Sequence, residues 1–202
     1  MHHIYQTEGF VLRTRPAAEE SKVIRLMTKD LGVIDGRAQG VRRNASKLRF
    51  ALQEFSYCKV SLVRGKEVWR IVNAVPLENA FFILRAQPEA LATVARILSL
   101  VGRLVSGEEE HAELFDIVRA SIESLANDSF TREETLLAES IFVLRILAAL
   151  GYASPDPRWK DIVGATNAAG AKALDKAMLA DAAPFGRAMI DAINASLKES
   201  QL

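Results

Sequence analysis

Only one cysteine, Cys58, occurs in the 202 residues. An internal disulfide is excluded, and so is any zinc site built from several thiolates. Histidine is nearly as scarce: His2 and His3 lie at the N-terminal end, and His111 follows the acidic run Glu108–Glu110. None has a partner at the spacing of a metal site or a catalytic triad. No cofactor is expected, and no enzyme. No repeat or low-complexity tract appears. The most apolar stretch, Leu136 to Leu150, is too short to span a bilayer, carries Glu139 and Arg145, and reads as a buried helix. Met1 to Glu8 is polar and lacks the apolar core of a signal peptide, so a reducing cytosol is the expected compartment.

Acid is what one stretch lacks. Nine Lys or Arg fall between Arg37 and Arg70 (Arg37, Arg42, Arg43, Lys47, Arg49, Lys59, Arg64, Lys66, Arg70), against only Glu54 and Glu67. The overall charge of +1 hides this polarity. Residues 1–80 hold 14 basic and 8 acidic side chains, a net of +6, and residues 81–202 hold 12 and 17, a net of −5. Phe50, Phe55, Tyr57 and Trp69 are threaded through the same stretch. A one-signed block with interleaved rings points to a polyanion with flat faces, which is nucleic acid.

The chain is written in two periods. Up to residue 80 apolar and polar residues alternate as in strands: Phe10 and Leu12, Ile24 and Leu26, Val33–Ala38, then Cys58, Val60 and Leu62. The turn Arg64-Gly65-Lys66 leads into a returning strand, Val68–Val75. Five short strands, with a helical turn at Ser46–Ala51, match a small Greek-key barrel of OB type; an SH3-like barrel fits the period almost as well. After Pro76 the spacing becomes helical. Leu91, Val94, Leu98, Val101 and Val105 form one stripe behind Pro88, and Leu114, Val118, Ile122 and Leu125 a second. Thr131 and Glu134 form a capping box opening an apolar helix that ends at Gly151. A weaker helix is predicted over Ala168–Ala180, and a last one from Pro184 carrying Phe185, Met189 and Ile193. With half the residues apolar, the reading is mixed α+β: a barrel over 1–77 and a helical bundle over 78–202.

Each chemical signal has a bland counterpart. Gly65-Lys66 lacks the spacing and the Ser/Thr of a phosphate loop, so it is read as a hairpin turn. Cys58 alternates with Val60 and Leu62, which makes it a buried thiol rather than a nucleophile. Glu108–Glu110 is a solvated loop, or a group that keeps nucleic acid off that end. Arg37, Arg42, Arg43, Lys47 and Arg49 occur with no acid among them. Such clustering costs self-repulsion unless an anion relieves it, and Gly40 and Asn44 mark a loop able to follow a phosphate backbone. Phe10, Phe50 and Phe55 are expected in the core. Tyr57 and Trp69 suit the core or base stacking equally. No base-reading helix is present, so the expected binding is sequence-tolerant. A protein-interaction scaffold is the rival from another class.

These residues also resemble a known family. Tyr5-x-Thr7-Glu8-Gly9-x-Val11-Leu12-Arg13, then Glu19-Glu20-Ser21-Lys22, Leu26-Met27-Thr28 and Gly32, are similar to the opening of RecO, the bacterial recombination mediator. The likeness continues through Gly36-Arg37-Ala38-x-Gly40-Val41-Arg42-Arg43, Ser46-Lys47-Leu48 and Leu52-Gln53-x-Phe55. Leu147-Ala148-Ala149-Leu150-Gly151-Tyr152 resembles the helical-domain signature. The resemblance implies an OB barrel followed by helices, and DNA repair by homologous recombination. It implies binding of single- and double-stranded DNA, annealing of strands, and loading of RecA onto strands covered by single-strand-binding protein. The implied partners are RecR and the C-terminal tail of that protein. By position, Arg37, Arg42, Arg43, Lys47 and Arg49 are the first choice for DNA contacts, with Arg13, Arg64, Lys66 and Arg70 as lesser candidates. Many relatives carry four zinc-binding cysteines after the Leu-Gly-Tyr signature. This segment has none, and Trp159 and Ile162 are expected to hold it by apolar packing.

Overall fold

A computed structural model of the chain describes residues 3–17, 20–43, 46–66, 68–127, 129–154, 156–164, 166–167 and 170–199. It divides into two compact units: Met1–Ile83 with Leu98–Ala112, and Leu84–Ile97 with Glu113–Leu202. The first contains β1 (Ile4–Pro16), β2 (Lys22–Thr28), β3 (Gly32–Ala38), α1 (Leu48–Ala51), β4 (Ser56–Val63) and β5 (Trp69–Asn79). The strands close into a barrel in the order β1-β2-β3-β5-β4. All neighbours run antiparallel except β3 and β5, which pair in parallel. This is the OB arrangement, and it decides between the two barrels that the period allowed.

Closure depends on β1. Its first half pairs with β4 and its second with β2, and a register shift between Val11 and Arg13 bends it from one partner to the other. The alternating apolar residues fill the interior, with Val11, Ile24, Leu26, Val60 and Leu62 at most 1% exposed. Cys58 lies among them, fully buried, and burial pushes its thiol up to about 12. It remains a neutral core side chain.

The helical period begins later than Pro76. β5 continues to Asn79, and Pro76 stands opposite Cys58 beside a register shift between Tyr57 and Cys58. Among the described residues β3 pairs with β5 at Trp69–Ile71 and not as far as Pro76, so Pro76 interrupts no ladder on that edge. Two helices follow, α2 (Ala80–Leu84) and α3 (Pro88–Leu104).

The second unit is built from α3 residues up to Ile97, α4 (Ala112–Asn127) from Glu113 on, and α5 (Arg132–Ala149), then α6 (Lys160–Val163), α7 (Lys176–Ala182) and α8 (Gly186–Glu199). In α4 the predicted stripe of Leu114, Val118, Ile122 and Leu125 is buried. At the start of α5 Thr131 Oγ1 accepts from Glu134 N at 3.2 Å, while Glu134 Oε2 accepts from Thr131 N at 2.7 Å. α5 packs against α6, α7 and α8. At its other end, Tyr152 N donates to the Leu147 carbonyl at 2.8 Å.

The alanine-rich stretch is not one helix. A two-residue hairpin of β6 (Thr166–Asn167) and β7 (Gly170–Ala171) precedes α7, and Ala168 and Ala169 lie outside the described residues. Buried Leu174 is tied to α4, its N–H donating to Ser124 Oγ at 2.8 Å, and Asp175, in an extended conformation, then caps α7 through Met178 N. These tertiary anchors override the helix preference of alanine. Pro184 lies within a 3-10 turn, Ala183–Phe185, and α8 begins two residues later.

The cysteine-free segment is held as expected at Trp159. That ring is buried, 6.0 Å from Phe185 between centroids, with the Arg158 guanidinium 4.6 Å from its own centroid. Ile162 is only half-buried. Among the described residues no three His, Cys, Asp or Glu side chains come together as metal ligands. A second anchor was invisible in the sequence: buried Arg145 spans the carbonyls of Lys172 and Ile162, at 2.6 and 2.7 Å.

Candidate nucleic-acid interface

Cross-strand register assembles arginines that are scattered along the chain. Arg13 stands opposite Arg25, and Arg25 opposite Asp35. In the next row Arg15 faces Val23, Val23 faces Arg37, and Arg37 faces Arg70. On β2, β3 and β5 the neighbours Ile24, Leu26, Ile34, Ala38, Trp69 and Ile71 are buried, and directly paired residues share a face, so this set lies on the outer face of the barrel. Asp35 is the acid within these rows. It accepts from Arg15 Nη2 at 3.1 Å and lies 4.0 Å from Arg25 Nη1. Arg13, Arg15, Val23, Arg25 and Asp35 line a cleft of about 180 Å³. The Nε atoms of Arg25 and Arg37 are buried and have no hydrogen-bond partner among the described residues.

The basic loop leaves β3 next to this face. Val41 is buried and anchors it, and Arg42 N donates to the Glu20 carbonyl at 3.3 Å. Arg42, Arg43, Lys47 and Arg49 are exposed. Asn44, expected to mark the loop, lies outside the described residues. Arg43 is engaged by the protein itself: its guanidinium pairs with Glu20, Nε to Oε2 at 2.6 Å, which raises its pKa further. Arg64 and Lys66 are exposed in the β4–β5 connection, with Arg64 paired to Glu108.

The rings separate in ways the pattern did not resolve. Trp69, equally suited to core or stacking, is core: it is 4% exposed, with Tyr5 edge-on at 5.1 Å and the Arg64 guanidinium 4.8 Å from its centroid. Tyr57 is half-buried, one face stacked on Phe10 at 4.7 Å, and its hydroxyl bonds Glu8. Phe10 is buried as expected, and Phe55 is half-buried at a φ of 68°. Phe50 corrects its expectation. The four-residue α1 turns Ala51 and, just beyond it, Leu52 inward, which leaves Phe50 69% exposed beside Arg49.

Sequence reasoning therefore missed Arg15, Arg25 and Phe50. Arg15 and Arg25 lie ten residues apart from one another and belong to no charge run, so register alone brings them together. The combination is cationic: Arg13, Arg15, Arg70 and the loop cations are exposed, Arg25 and Arg37 are half-buried, and Phe50 is an exposed ring next to Arg49 in the chain. It can grip phosphates from several sides, and among the described residues it holds no nucleophile–base pair. No helix of the described residues is long and apolar enough to cross a membrane.

Comparison with known proteins gives one family. Residues 1–80 match the family model for the N-terminal part of recombination protein O, and residues 85–156 match the C-terminal part. A DNA repair protein RecO of Dehalococcoides mccartyi is 28% identical over 150 residues, 74% of this chain and 57% of that one. A namesake from Alkaliphilus metalliredigens is 29% identical over 148 residues, covering 73% and 58%, and one from Desulforudis audaxviator is 30% identical over 148, covering 73% and 57%. The chain thus spans less than two thirds of the length of these curated relatives.

Proposed function

The chain belongs to the RecO family of DNA repair proteins, and on that premise we propose that it is a non-enzymatic accessory of recombinational repair that holds DNA by its phosphates on the outer face of the barrel. It binds single and double strands, anneals complementary strands, and helps load RecA onto strands covered by single-strand-binding protein. RecR and the acidic, hydrophobic tail of that protein are its partners. The observation that carries this reading is the juxtaposition of the rows Arg13–Arg25 and Arg15–Arg37–Arg70 with the loop bearing Arg42, Arg43, Lys47 and Arg49.

Two complementary strands repel because each bears a charge at every phosphate. A cationic surface that holds one strand and tolerates a second lowers that repulsion while base edges stay free to pair. Phosphate contacts position a strand without reading its sequence, and no nucleotide cofactor is needed. Replacing Arg42, Arg43 and Lys47 together with alanine is expected to weaken binding to all oligonucleotides alike. Loss confined to one sequence would mean base readout instead. An annealing assay on bare strands and on strands coated with single-strand-binding protein separates a mediator from a simple binder. Acceleration only of bare strands would sink the mediator role.

A further inference from the structure

We propose that Arg64 and Trp69 form a phosphate-binding subsite of the barrel, and that Glu108 occupies it as an internal stand-in until a nucleic acid displaces it. The proposal rests on the nucleic-acid reading above. The segment that follows α3 lies along the barrel it belongs to. Arg25 Nη2 donates to the Val105 carbonyl at 3.1 Å, and Val33 N to the Gly107 carbonyl at 3.1 Å. A Cβ placed on Gly32 would stand 2.1 Å from the Glu109 carbonyl oxygen, so backbone meets backbone there without room to spare. These contacts fix where the Glu108 side chain goes. One carboxylate oxygen takes the Arg64 guanidinium and the other accepts from Trp69 Nε1 at 3.1 Å.

The chemistry of those donors is not particular to a carboxylate. A guanidinium and an indole N–H, both aimed at one acceptor-only group, suit two non-bridging phosphate oxygens equally well. Trp69 is buried, so its N–H needs an acceptor whichever anion supplies it. Arg64 and Glu108 are each about half exposed, at 56% and 44% of the side chain. An exposed pair of this kind is weak and salt-sensitive. A polyanion held at the neighbouring arginines competes for Arg64 at high local concentration. Glu108 therefore sets a threshold: it leaves the hold on a strand loose enough to be surrendered.

The test uses the full chain and a fluorescent oligothymidylate whose anisotropy is followed across a salt series. Glu108→Gln keeps an acceptor for the indole and removes the charge. It is expected to tighten binding about 3- to 10-fold at low salt and to steepen the log–log salt slope by about 0.7, one extra phosphate contact. Arg64→Ala is expected to abolish that gain, so the double variant binds like Arg64→Ala alone. In the wild type the Trp69 indole N–H resonance, assigned by its persistence in Trp159→Phe, shifts on addition of the oligonucleotide. If the wild type binds with clear salt dependence but Glu108→Gln changes neither affinity nor slope, the subsite is overturned and the nucleic-acid reading stands. A gain that survives Arg64→Ala, or an indole signal unmoved at saturation, overturns it likewise. If no variant retains oligonucleotide at any salt, the nucleic-acid reading itself fails and the subsite with it.

Discussion

Phe50 shows how one side chain separates a stacking contact from a charge contact. It is exposed beside Arg49, so truncation to alanine removes a ring without opening a cavity. Melting temperature is expected to stay unchanged. Affinity for single strands is expected to drop by roughly 1–3 kcal/mol if one base stacks there. Duplex offers no unstacked base, so its affinity is expected to hold; equal losses on both substrates would make Phe50 a packing contact only. Arg145 works at the same scale but inward. Burial lowers its pKa to about 10, which leaves it charged at neutral pH, and its planar fork meets two carbonyls in different parts of the chain. Lysine carries its three donors on one nitrogen and lacks the two separate nitrogens, Nη1 and Nη2, that reach the two carbonyls. Arg145→Lys is expected to cost about 2–3 kcal/mol in urea unfolding, through one unmet carbonyl and a misplaced buried charge. A loss below half a kcal/mol would show that Arg145 is not an anchor of the segment after α5.

Among the described residues the barrel closes between β3 and β5 through Gly36–Trp69, Arg37–Arg70 and Ala38–Ile71. Gly36 has no room for a side chain: an added Cβ would lie 2.8 Å from Ile71 Cγ1 and 2.9 Å from its Cδ1. Gly36→Val is expected to destabilise the barrel by about 1–3 kcal/mol, as overpacked cores do, and to weaken oligonucleotide binding because Arg37 and Arg70 share that junction. Full stability would mean that Ile71 repacks freely. The capping box of α5 gives a second case with a pH signature. The hydrogen bond from Thr131 N holds the Glu134 carboxyl below its ordinary range. A carboxyl lowered in the fold contributes above its unfolded pKa and loses that contribution as pH falls through the lowered value. Thr131→Ala is expected to cost about 1 kcal/mol at neutral pH, and Glu134→Gln to flatten the acid limb of the stability curve. Both devices bear on what a sequence reveals. The strands, the capping box and the two helical stripes are local patterns, so a period or a motif suffices to find them. The extension of β5 past Pro76 was hidden because it depends on which edge lacks a partner. The alanine-rich stretch misled because Ser124, fifty residues away, takes the Leu174 N–H that a continuous helix would use. The basic loop was legible as a run of charge. Arg15 and Arg25 were not, because the distance that matters to them is measured across strands.

Taken whole, the molecule is nearly neutral, yet its charge is divided along the chain, +6 over residues 1–80 and −5 beyond. At about 0.1 M salt the screening length is roughly 10 Å, so a polyanion senses the arginines it touches and not the sum. Affinity should then depend on how many phosphates are neutralised at once. If Arg37, Arg42, Lys47 and Arg49 each meet one while Glu20 holds Arg43, log K against log salt is expected to fall with a slope of about −3 on single strands. Recruitment of the Arg13–Arg25 and Arg15–Arg37–Arg70 rows would make it steeper still. The protein's own acids hold the count down: Glu20 occupies Arg43 and Asp35 occupies Arg15. Glu20→Gln is accordingly expected to steepen the slope by about 0.7, the increment of one phosphate. A slope near zero in the wild type would remove the electrostatic footprint. A clear wild-type slope left unchanged by Glu20→Gln would show that Arg43 already leaves its carboxylate for DNA, or never meets it; Arg43→Ala decides between the two, lowering the slope in the first case and not in the second.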